Sequence, residues 1–169
     1  LDLYRFTDDP RHLANAEKLA AGWTATRDFI DHGLFARQLC GRSAWLNSLL
    51  IGGSRLRVRT FKDNTNLCWG LLELYMRTGN ARWKSTLEHW VGGFRRHLWN
   101  HGMVYLMLDA KLNGYNPSIK AAFSTLDLLC DLHHAGIEQD SVLQMAIAIA
   151  DYWAGERWEN GLFPEMPGG

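Results

Sequence analysis

The sequence is short of proline, cysteine, net charge and long apolar runs, and each shortage narrows what the chain can be. Four prolines in 169 residues leave long stretches free to be helical, because proline removes a backbone donor and breaks helix interiors. Cys40, Cys68 and Cys130 are odd in number and widely spaced. That fits buried thiols better than a disulfide framework or a zinc site. Eighteen basic residues balance eighteen acidic ones, and a nucleic-acid partner would need a basic surplus. No apolar run reaches the ~18 residues of a membrane span; the longest are interrupted by Glu73, Asp127 or Asp151. GxGxxG, P-loop, HExxH and GxSxG patterns are absent, and Gly52-Gly53 lacks the lysine and helix start that phosphate binding needs. No metal and no cofactor are expected, since nothing forms a dense ligand cluster. The chain begins at Leu1 without a signal-peptide pattern. A processed or truncated piece is therefore expected, with localisation left open between the cytoplasm and secretion.

What the sequence does hold is apolar and aromatic: 47% hydrophobic residues, eight tryptophans and five tyrosines, enough for one domain with a sizeable core. Its organising stretch runs from Asn64 to Gly102. Leu67 to Met76 is apolar almost all round, as a helix buried among other helices would be. After Gly79-Asn80, a stop and a cap, Trp83, Leu87, Trp90, Val91, Phe94 and Leu98 recur at helical spacing with charged residues between them. An earlier helix is predicted from Asp9-Pro10 to about Ile30, closed by Gly33, and a less certain one over 42–51. Ser54 to Thr60 alternates polar and apolar residues, looks extended, and puts Arg55, Arg57 and Arg59 on one face. Pro117, capped by Asn116, opens another buried helix that Gly136 stops, and a final one spans about Asp140 to Trp158.

Gly33, Gly102 and Gly161 each follow an outer-type helix and lie 69 and 59 residues apart, with similar residues at matching offsets. Self-similarity of this kind signals stacked supersecondary units sharing one core. The expected fold is all-α, a single domain of repeated helical hairpins over 1–169. At this point the residues resemble a family. Leu74-Tyr75 with Thr78-Gly79-Asn80, then a tryptophan-bearing helix, then Trp99-Asn100-His101-Gly102, resemble the six-hairpin (α/α) toroid proteins. Glycoside hydrolases, polysaccharide lyases and sugar 2-epimerases share that fold. The resemblance covers most of the chain but marks a hairpin repeat and no particular activity. A full toroid needs more helices than 169 residues supply, so the chain is expected to be part of a larger toroid or a smaller helical array, with the rest of a longer chain or a homo-oligomer as partner.

The resemblance implies a saccharide cleft lined by the loops leading into the inner helices. Three acids stand on such loops: Asp63 beside Asn64, Asp109 in Leu108-Asp109-Ala110, and Glu165 after Phe163-Pro164. Paired carboxylates can serve as acid and base in glycoside cleavage when burial raises one of their pKa values. Asp63 and Asp109 are the expected catalytic pair, against the competing readings of a first-turn helix acid and an exposed loop acid. Trp69, Tyr105 and Tyr115 are the aromatics best placed to stack on a sugar, Arg57 the cation for an anionic group, and Glu165 a further substrate contact. His133-His134 at a helix end would suit an epimerase, though a histidine there also complements the helix dipole. Hydrolysis of a glycosidic bond is thus the first functional expectation. An epimerase or lyase of the same fold comes next, and a non-catalytic helical scaffold last.

Overall fold

The computed structural model of the protein describes residues 7–36, 59–109 and 111–155. Arg57 and Glu165 lie outside them, as do the expected helix over 42–51 and Gly161. Among the described residues six helices and four short strands follow one another.

The first helix, α1 (Pro10–Thr24), starts as its sequence dictates. Asp9 accepts from the Arg11 N–H at 2.9 Å, and Pro10 occupies the first turn, where its missing donor costs nothing. The helix does not run on to Ile30. Thr24 and Thr26 donate their hydroxyls to the Ala20 and Trp23 carbonyls at 2.9 and 2.8 Å, taking up the chain at the helix end. A short α2 (Arg27–His32) follows and closes on Gly33 at φ 71°. The central hairpin is α3 (Phe61–Thr78), ended by Gly79 at φ 61°, and α4 (Ala81–His97), capped by Asn80. The second hairpin is α5 (Ile119–His134) and α6 (Gln139–Gly155). Each hairpin packs on itself, and α3 lies against α5.

The all-α expectation is corrected by a small antiparallel sheet. Its strands are β1 (Arg59–Thr60), β2 (Trp99–Asn100), β3 (Met103–Leu108) and β4 (Gly114–Pro117). Strand β3 pairs with all three others, setting Arg59 opposite Leu108, Asn100 opposite Met103, and Met107 opposite Tyr115. The Trp99-Asn100-His101-Gly102 stretch, read as a helix end, is a hairpin turn instead. His101 and Gly102 both take positive φ, 46° and 95°, as a two-residue turn that matches strand twist requires. Gly33 and Gly102 therefore do different work, one closing a helix and the other turning a β-hairpin. Pro117 belongs to β4, and Ser118 is the true cap of α5, accepting from Lys120 N–H at 3.2 Å.

The core sits between the hairpins. Trp83, Leu87, Trp90, Val91, Phe94 and Leu98 are all buried, as the spacing along α4 requires; fully burying one such side chain contributes about 1.5–3 kcal/mol. Helix α3 is less enclosed than its composition implies, since Met76 is 63% exposed. Trp23, near the end of α1, is 40% exposed. Two glycines set how closely α2 approaches α4. A Cβ on Gly93 would stand 2.3 Å from the His32 carbonyl oxygen, and one on Gly33 would stand 2.4 Å from that of His89. Backbone meets backbone there, with no room for a methyl group. Nearby, a His89 ring nitrogen lies 2.8 Å from the Phe29 carbonyl.

Candidate functional site

The sheet gathers most of the candidate residues at the N-terminal end of α3. Asn64, fully buried in the first turn, fixes this end to the chain after α2. Its side-chain oxygen accepts from the Phe35 N–H at 2.8 Å, and its amide donates to the Phe35 and Thr60 carbonyls at 3.0 and 2.8 Å. Arg59, buried in β1, forms an ion pair with buried Asp28 and donates to the Asp109 carbonyl at 3.1 Å. One guanidinium thereby ties α2 to the end of β3. The alternation puts Arg59 on one face with Arg55 and Arg57; the ion pair explains how Arg59 can be inside, since a buried charge needs a partner.

Asp63 faces Thr60. The Thr60 hydroxyl accepts from the Asp63 N–H at 3.1 Å and donates to the Asp63 carboxylate at 2.7 Å. This is a variant of the capping box, in which cap residue and third-position acid hold each other. Asp109 is held differently. One of its oxygens accepts from the Lys111 and Asn113 N–H groups at 2.8 and 2.9 Å. The other takes the Asn113 side-chain amide at 3.0 Å and the Tyr115 hydroxyl at 3.1 Å. The Asn113 amide and backbone bonds hold the Asp109 carboxyl below its ordinary range, with Lys111 and Tyr115 adding to them. Tyr115 is pushed the other way, chiefly by its hydrogen bond to that carboxylate. The pair is a carboxylate that stays ionised beside a phenol that stays protonated. Tyr115 as a whole is 48% exposed.

Tyr105 stands on the same strand but is built into the scaffold. Its ring covers Gly114, where a Cβ would come within 2.3 Å of it, and its hydroxyl accepts from Asn100 at 3.1 Å. Beside this end, His97 closes α4 with its ring centroid 5.8 Å from that of His32. Burial holds the His97 imidazole below its ordinary range, and Arg96, His32 and Arg59 act in the same direction.

Trp69 is not part of this group. It lines a groove of about 330 Å³ between α3 and α5 with Glu73, Met76, Asp131 and His134. Its indole N–H donates to Asp131 at 3.0 Å. Asp127 and Asp131, which would need partners if buried, are both exposed. His133 turns from the groove to the start of α6, where it and Gln139 exchange contacts at 3.2 Å. Among the described residues no three His, Cys, Asp or Glu side chains are grouped to hold a metal ion, and no helix is long and apolar enough to cross a membrane.

Asp28, Asn64 and His97 carried no signal of their own in the sequence. Each matters through a partner 29 or more residues away, which no local pattern can show. In comparisons with known proteins, the chain matches no known family and no curated protein.

Proposed function

We propose that the chain is a helical-hairpin unit of a carbohydrate-active protein related to the (α/α) toroids, presenting Asp109 and Tyr115 to a saccharide. The observation that carries this reading is the exposed Tyr115, hydrogen-bonded through its hydroxyl to an ionised Asp109. A carboxylate held ionised suits the nucleophile or charge-stabilising role at a developing oxocarbenium centre, and is ill suited to be the general acid. The phenol ring offers the flat apolar face on which a sugar stacks. Asp63, with its carboxylate on Thr60, fits the helix-capping role better than proton transfer. The epimerase alternative draws less support, because His133 is turned to Gln139.

A second reading, the non-catalytic scaffold, rests on Asp109 accepting four hydrogen bonds from its own loop, as a purely structural acid would. Activity on a panel of glycans with the wild type, Asp109→Asn and Tyr115→Phe separates the two. The enzyme reading expects turnover of at least one glycan and a fall of about 10²-fold or more in Asp109→Asn. No turnover by the wild type, or undiminished turnover in Asp109→Asn, supports the scaffold.

A further inference from the structure

The groove between α3 and α5 lies outside the saccharide reading. Its lining on α3 runs from Trp69 to Met76, beginning about 9 Å along the helix from Asp63 at the ordinary helical rise. Its volume of about 330 Å³ suits a compact ligand. Leu72 and Met76 give it an apolar floor, and the Trp69 indole forms a wall. Everything charged that its lining carries by default is negative. Glu73 has one oxygen on the Arg77 guanidinium at 2.6 Å. Asp131 gives one oxygen to the Trp69 N–H at 3.0 Å, and its other oxygen has no hydrogen-bond partner among the described residues.

The helix ends add to this field. Asp131 and His134 belong to the last turn of α5, and Ala135 is its cap. Met76 lies in the last turn of α3. Two helices thus bring their negative dipole ends toward one groove, and such ends attract cations. A tryptophan wall strengthens the preference, because the negative face of the indole attracts organic cations in particular. A hard metal ion is a poor fit, since it would need a set of six or so oxygens where the groove offers carbon, sulfur and two separated carboxylates.

We infer that this groove binds a small organic ammonium ion, a protonated or quaternary amine on a compact apolar body. The positive head meets the face of the Trp69 indole and the other oxygen of Asp131, leaving the bond from the indole N–H to Asp131 in place, and the apolar part lies on Leu72 and Met76.

Choline is the probe, and 3,3-dimethyl-1-butanol, its uncharged isostere, is the control. The readout is the indole N–H signal of Trp69 in ¹⁵N spectra of the full chain, assigned with Trp69→Phe. Choline is expected to shift that signal saturably, and the isostere is not. Asp131→Asn keeps an acceptor for the indole while removing the charge, so the groove stays formed and choline affinity is expected to fall about tenfold or more. Equal titration by the isostere, unchanged choline affinity in Asp131→Asn, or no saturable shift up to ~100 mM choline would each overturn the inference. The comparison of choline with its isostere needs only the wild type, so it decides the matter even if the variant does not fold. None of these results depends on whether Asp109 acts on a saccharide.

Discussion

His97 ends α4 beside Arg96, near Arg59 and partly buried, so its imidazole is more easily protonated in the unfolded chain than in the folded one. The sign of the effect follows. Above the ordinary histidine value of 6.5 both states are neutral and pH has no hold through this group. As pH falls below it, the unfolded chain takes up the proton first, and stability declines until the folded pKa is passed. Asp109 acts in a lower window. Its carboxyl is held below 3.8, so its contribution is present above that value and is lost as pH falls through the lowered one. Urea midpoints measured between pH ~7 and ~5 are expected to fall in the wild type and to flatten in His97→Gln. An identical slope in that variant would assign the decline to other groups.

At the scale of elements, the crossing of α2 and α4 makes a paired prediction. Gly93→Ala puts a methyl group against the His32 carbonyl and is expected to cost about 1–3 kcal/mol. Gly92→Ala, one position earlier with open space around it, is expected to be neutral or to stabilise by up to ~1 kcal/mol, because alanine is the better helix residue. Urea denaturation of both variants checks the contrast; equal effects would refute the close-approach argument. The caps at Asp9, Gly33, Gly79 and Asn80 and the buried stripe of α4 were legible in the sequence, because each is decided within one or two helical turns. Of the sheet only β1 was legible, as the end of the alternating stretch 54–60; β2 is two residues long, too short for a period to show. Met103 to Leu108 is apolar throughout, with no alternation to mark a strand, and its pairing with Arg59 is set by distant chain. Asp109 and Tyr115 were each legible as candidates while the bond between them was not, because it depends on how the turn from β3 to β4 folds back, and the tie between Asp63 and Thr60 appears only once the start of α3 is fixed.

For the whole molecule, the Asp28–Arg59 pair is a buried ionic tie between distant parts of the chain, with Arg59 joined to groups 31 and 50 residues away. Arg59→Met strands the Asp28 carboxylate inside and is expected to cost about 3–5 kcal/mol, while the double variant Arg59→Met with Asp28→Leu is expected to regain part of that loss. Equilibrium unfolding of the two single variants and the double one measures the coupling, and strict additivity would show that the pair is not energetically linked. That same pair has a further consequence. Its side chains are only 4% and 9% exposed, whereas Arg11–Asp9 and Arg27–Asp31 stand largely in solvent on the arginine side. Dissolved ions screen exposed charges over about 8 Å at physiological ionic strength but reach buried ones far less. The bond that holds α2 to the sheet is therefore insulated from the ionic medium, and its strength is expected to change little between dilute buffer and brine.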